Sequence, residues 1–353
     1  MSAEQRLRDA AREHILIFDG AFGTQIQDKG LVEADYRGSL DLGRDQKGNN
    51  DLLAITRPDV VDEITRAYLA AGADMVSTNT FSANRISQAD YAAEHLVADI
   101  NRESARIARA AADDFVAADA RNGITRPRFV AGAIGPTNKT LSLSPDVNDP
   151  GFREIDFDTL KEVYRDQCAA LIEGGVDFIL IETIFDTLNA KAGIMAAKEA
   201  GRDSGRDVPL MISMTLTDLS GRNLSGHTVE AFWHAVRHAR PLTIGLNCSF
   251  GATQLRPHVQ VLSAIADTLI LAYPNAGLPN ELGAYDELPD ETAAFVREWA
   301  ELGLVNILGG CCGSSPAHIA AIAKAVGGLP PRRVPDCPGG TRLAGLEPMT
   351  IAA

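Results

Sequence analysis

The chain has 353 residues, enough for one large α/β barrel or two ordinary domains. Its 33 Lys and Arg stand against 47 Asp and Glu, and a net charge of −14 argues against nucleic acid and anionic membrane as partners. No run of about eighteen apolar residues is present to span a membrane, and residues 1–13 are charged and helical-looking, with no apolar signal core.

Short apolar runs occur at 15–19, 75–80, 129–134, 178–183, 210–216, 242–248, 269–273 and 305–308. Most are nearly continuous in apolar residues, as parallel strands buried on both faces are. Amphipathic segments fall between them at 60–71, 92–112, 159–173, 228–239, 255–266 and 291–302. This alternation predicts a (β/α)8 TIM barrel over residues 1–327. A doubly wound sheet is the competing arrangement, but no dinucleotide glycine fingerprint follows the first strand. The segments AAGADMVSTNT, EGGVDFILIET and ELGLVNILGGC share one grammar. In each a helix ends at a glycine (Gly72, Gly174 or Gly303, predicted left-handed caps) and a strand follows. The connections 20–58 and 135–158 are too long for ordinary barrel turns. Both follow strands, and so lie on the face where barrel enzymes place their sites. Residues 328–353 begin rich in Pro and Gly and read as a tail, linker or strap.

Five cysteines in a chain of this size point to a reducing cytoplasm, with free thiols or metal ligands. Cys248 ends the sixth run in IGLNCSFG, and Cys311 and Cys312 end the eighth in ILGGCCGSSP. All three therefore open on one face. Adjacent strand residues point to opposite sides, but Gly309, Gly310 and Gly313 let the backbone bend so that both sulfurs of the pair converge. Ser314 or Ser315 before Pro316 starts a helix. Three thiolates leave a tetrahedral Zn2+ one open position, the catalytic arrangement. A substrate thiol there would stay deprotonated, and the chemistry this points to is alkyl transfer to sulfur. The alternatives are buried small hydrophobes or a strained vicinal disulfide. Cys168 reads as helix core and Cys337 as incidental. His234 and His238, four apart on one helix, form a rival metal pair, without HExxH and on the barrel's outside.

Asp19 ends the first run in IFDGAFGT, and Glu182 ends the fourth in ILIETIFD. Charges directly after buried runs rarely serve packing. Facing the mouth, the two would hold an ammonium group. The backbone N–H groups of the turn that begins Gly20, Ala21 would take a carboxylate. Together they describe a site for an amino acid; a salt bridge or loop cap is the plainer alternative.

At these residues the sequence resembles the homocysteine S-methyltransferase family. The motifs are DGAFGTQIQ, STNTF, GAIGPT, ETIFDTLNAK, GLNCSFG and GGCCG, in that order. The resemblance implies that Cys248, Cys311 and Cys312 bind zinc, that zinc binds the homocysteine thiol, and that Asp19 and Glu182 hold the amino acid. Within the family the chain is most similar to the N-terminal homocysteine-binding module of cobalamin-dependent methionine synthase. NNDLLAITRPDVV, NTFSANRISQADY, GPTNKTLSLSPDVNDPGFREIDFDTL and RLAGLEPMTI carry that likeness. It implies methylcobalamin, loaded from methyltetrahydrofolate, as the methyl carrier on a cobalamin- and folate-binding module. Here that module is expected to follow in a longer chain or to be a separate polypeptide. Betaine- and S-methylmethionine-dependent members share the zinc motif but not the long loops. The remaining alternatives are thus a self-sufficient methyltransferase using one of those donors, or a zinc-binding sensor without turnover.

Overall fold

Eight parallel strands form one sheet in the computed structural model, which describes every residue except 282, 337–339 and 353, and the side chain of 352. The strands are β1 (Leu16–Ile17), β2 (Met75–Ser77), β3 (Phe129–Ile134), β4 (Phe178–Ile184), β5 (Leu210–Met214), β6 (Thr243–Gly251), β7 (Leu269–Asn275) and β8 (Ile307–Leu308). Sequence neighbours pair from β2 round to β8, and β1 pairs with β8. Between β1 and β2 the ring closes through one bridge, Phe18 to Met75. Asp74 adds to that seam by accepting the Ile17 N–H at 2.9 Å. Helices separate the strands, so the fold is the expected (β/α)8 barrel.

The side-chain period of two sorts each strand. On β4, Phe178 and Leu180 join the cluster inside the barrel, while Ile179 and Ile181 pack outward against helices. Glu182 is the next inward position. On β7, Leu269, Leu271 and Tyr273 form the matching inner series. The helix Ala3–Glu13 packs Leu7, Ala10 and Ala11 into the same cluster at the strand starts. The barrel's N-terminal end is thereby plugged.

Several boundaries differ from the pattern-based expectation. The segment 92–112 begins irregularly, with Ala92 left-handed (φ 54). Its helix is Val97–Arg121, because the alanine-rich stretch stays helical past 112. Helices Thr187–Asp203 and Pro316–Val326 complete the alternation. Connection 20–58 holds the helices Phe22–Asp28, Glu33–Arg37 and Leu53–Thr56. Gly72 (φ 107) and Gly303 (φ 66) are left-handed after their helices, as expected. Gly174 is not the cap: it is the last residue of helix Phe157–Gly174, and Gly175 (φ 100) takes the left-handed place. Gly174 serves close packing instead. A Cβ there would lie 2.5 Å from Ala105 Cβ and 2.6 Å from the Arg102 carbonyl oxygen.

After Val326 the chain passes the strand starts. Buried Arg332 donates to the carbonyls of Ser263, Ala266 and Thr268. A hairpin of β9 (Gly340–Ala344) and β10 (Pro348–Ala352) then lies against the helix Val229–Val236. Among the described residues no helix is long and apolar enough to cross a membrane.

Gly174→Ala should lower unfolding free energy by about 1–3 kcal/mol, the usual cost of overpacking. Urea denaturation measures it; an unchanged midpoint would show that the two helices part without loss.

Candidate metal centre and substrate pocket

β6 does not end as a regular strand. Its pairing with β7 shifts register between Asn247 and Gly251. Within that shift Cys248 (φ 61) and Ser249 (φ 63) are left-handed, which costs a non-glycine residue about 1–2 kcal/mol. β4 shifts against β5 between Ile181 and Ile184, and Thr183 is left-handed too (φ 55). Fully buried Asn247 ties the two irregularities together. Its Oδ1 accepts from Thr183 N at 3.1 Å and from Ser213 Oγ at 2.6 Å. Its Nδ2 donates to Thr183 Oγ1 at 2.8 Å and lies 3.9 Å from Cys311 Sγ. One amide thus sets the backbone that aims both Cys248 and Glu182.

Cys311 and Cys312 lie in the turn after β8. Cys311 N donates to Pro274 O at 2.7 Å, and Ala276 N donates to Cys312 O at 2.9 Å, so the turn is sewn to the end of β7. Gly313 N donates to Thr24 Oγ1 at 3.0 Å. Gly313 is left-handed (φ 80), and the Tyr285 Cβ stands 2.3 Å from where a side chain would begin. The backbone does bend so that the sulfurs converge. Cys248 Sγ and Cys312 Sγ are 3.8 Å apart, and all three sulfurs lie within 4.8 Å of one another. A tetrahedral zinc with Zn–S bonds of about 2.3 Å places its sulfurs about 3.8 Å apart. The donor set therefore fits zinc, with three ligands and one position left over. Hydrogen bonds from Cys248 and Cys311 draw the Cys312 thiol below its ordinary value, and those of Cys311 with Cys248 and Cys312 push Cys311 up. A cation among them removes that competition for protons.

No other group of three or more metal-capable side chains is found among the described residues. His234 meets the Leu343 carbonyl at 3.4 Å and lies near Glu230, while His238 is exposed. Cys168 is buried in its helix, and Cys337 lies outside the described residues.

Asp19, Gly20, Ala21, Glu182 and the three cysteines line one cavity of about 1050 Å³. Asp19 Oδ2 accepts from Ser77 N at 2.7 Å and from Ser77 Oγ at 2.9 Å. Glu182 accepts from the Tyr273 hydroxyl at 3.0 Å. Burial pushes the Asp19 carboxyl up to about 7. Glu182 rises to about 8, through burial and then the nearby charges of Asp19 and Cys312. Two carboxyls lining one cavity, Asp19 buried and Glu182 half-buried, with no ion pair to either among the described residues, can receive a cation. The turn differs from expectation in one bond: the Ala21 N–H is already donated to Ser314 Oγ at 3.2 Å.

Sequence reasoning did not single out Ser77, Tyr273, Thr183 or Asn247. A signal for Asn247 was present, since an amide inside the apolar run TIGLNC needs a buried partner.

Barrel, mouth and thiols together define a TIM-barrel protein with a three-cysteine metal-type centre at the C-terminal face. The chain belongs to the homocysteine S-methyltransferase family, whose sequence pattern matches residues 16–326. It is also similar to crystal structures of the homocysteine methyltransferase MmuM from Escherichia coli. The metallated form superposes with a TM-score of 0.69 at 21% identity, covering 91% of this chain and 98% of that one. The oxidized form gives 0.68 at 20% identity, over 88% and 95%. The apo form gives 0.62 at 20% identity, over 89% and 97%. At these identities the likeness is one of fold.

Asn247→Ala should weaken zinc affinity by about 10–100-fold, as loss of a supporting partner does. Competition against a chelator measures this; undiminished affinity would make the amide a packing residue only.

A second expectation concerns pH. At low pH both carboxyls are neutral, and they ionise as pH rises through about 7 and about 8. Methionine has the same ammonium group as homocysteine but no thiol proton. Its binding should tighten from about pH 6 to about pH 8.5, and Glu182→Gln should flatten that slope. Calorimetry over this range checks it. The stability effect has the opposite sign. Carboxyls raised on folding destabilise the free protein as pH climbs from their ordinary values to their folded ones.

Proposed function

We propose that this protein methylates the sulfur of homocysteine to give methionine, using zinc held by Cys248, Cys311 and Cys312. The observation that carries this reading is three converging sulfurs and two carboxyls in one cavity. Asp19 and Glu182 receive the substrate ammonium between them. The Gly20 N–H, with the first-turn amides of helix Phe22–Asp28, receives its carboxylate, the Ala21 N–H being taken by Ser314. That leaves the substrate sulfur at the cysteines. Zinc supplies an open ligand position there and keeps the sulfur deprotonated at neutral pH. Tyr273 and Ser77 fix the carboxylates, and Asn247 fixes the strand ends. The sulfur lone pair forms the new bond to the methyl carbon, and the donor departs with the pair from the bond that breaks.

The donor in this reading is methylcobalamin, carried on a cobalamin- and folate-binding module and loaded from methyltetrahydrofolate. What supports it is the pair of long connections at the mouth, which bear sequences resembling the methionine synthase module. A second reading, a small donor such as S-methylmethionine or betaine used without a partner, draws on the 98% coverage of a homocysteine methyltransferase chain. The protein is incubated with homocysteine and each donor in turn. Methionine from methylcobalamin alone supports the first reading, and methionine from a small donor alone supports the second. No product from any donor leaves a zinc-binding sensor.

Metal analysis should find about one zinc per chain, lost on Cys248→Ser, Cys311→Ser or Cys312→Ser together with most of the activity. Zinc retained in full by all three variants would end this assignment.

A further inference from the structure

The cavity is larger than an amino acid needs. Its volume of about 1050 Å³ matches the upper end of pockets that take whole drug-sized ligands, roughly 300–1,000 Å³. One wall stands where the connection after β1 meets the connection after β2. These two are bonded to each other in steps that climb away from the strands. Ser77 donates to Asp19 at strand level. Asn79 Nδ2 donates to Asn50 O at 2.7 Å, and Ser82 N donates to Asp51 Oδ1 at 3.1 Å. Asp51 therefore lies on the same side of the mouth as Asp19, farther along both connections.

Asp51 lines the cavity yet is only 6% exposed. Ser82 holds one of its carboxylate oxygens. No hydrogen bond to the other, and no ion pair to Asp51, is found among the described residues. Burial pushes this carboxyl up to about 7. That oxygen opens on the cavity rather than being sealed in the core, so it is free to accept a hydrogen bond from whatever enters there. The homocysteine site described above does not use it.

We propose that Asp51 recognises the second substrate, its unbonded oxygen accepting an N–H of the methyl donor. The inference rests on the methyltransferase reading. Two donors offer this chemistry: S-methylmethionine through its ammonium group, and methylcobalamin through the carboxamides at its rim. Betaine has no N–H and serves as the contrast.

Asp51→Asn tests it. The amide keeps an oxygen for the Ser82 N–H and turns an NH2 group toward the ligand's N–H. With purified zinc-containing protein, KM for S-methylmethionine or methylcobalamin, whichever the wild type uses, should rise about tenfold. Homocysteine affinity by calorimetry and the thermal midpoint should stay at wild-type values. An unchanged donor KM overturns the inference, as does an equal loss of homocysteine affinity. So does wild-type turnover with betaine alone. Wild-type protein inactive with every donor defeats the methyltransferase reading itself, and this inference with it.

Discussion

One buried amide holds the mouth of this barrel in shape. Asn247 spends both of its polar atoms on β4 and β5, strands from outside its own, and in doing so stabilises three left-handed residues that regular strands would not contain. The strain sits where the chemistry is: Thr183 follows Glu182, and Cys248 follows Asn247 itself. Hydrogen bonds in so dry a setting are strong, and a bond left unmade there is correspondingly expensive. The arrangement of sulfur and carboxylate is therefore over-determined by packing rather than left to loop flexibility.

The pocket combines groups that cannot all be charged alone. Three thiols and two carboxyls line one space in a protein that is already acidic. In the proposed function a divalent ion at the sulfurs and an ammonium group at the carboxyls would resolve this repulsion in two separate places. On that reading, selectivity for an amino acid bearing a thiol would follow from the division. A simple amine lacks the sulfur, and a simple thiol leaves Asp19 and Glu182 without a counter-ion.

Much of this was legible in the sequence, for reasons that can be named. The eight strands were visible because buried parallel strands are continuous apolar runs. Glu182 was visible because it breaks such a run, and its direction follows from counting by twos from Phe178. The cysteines were visible because two strand ends far apart in sequence carry the same residue type. What escaped has a physical reason as well. A register shift leaves no periodic trace, so TIGLNC marks Asn247 as needing a buried partner without saying which, and ILIETI does not mark Thr183 at all. The choice between Gly174 and Gly175 as cap depends on a neighbouring helix, with Ala105 and Arg102 occupying the space where a Cβ would go. The plugging of the barrel by Ala3–Glu13 depends on where that helix docks, which its charged pattern does not state.

The closure between β1 and β2 has a consequence of its own. Seven neighbouring strand pairs are joined by backbone ladders, whereas this one has a single bridge. One more backbone bond, Asp74 N to Ile17 O at 2.7 Å, and two carboxylates add to it: Asp74 reaches Ile17, and Asp19 reaches Ser77. Asp19 is thus both a fastener of the barrel and a wall of its pocket. The seam is where amide hydrogens should exchange with solvent soonest, and where a bound ligand should slow that exchange the most.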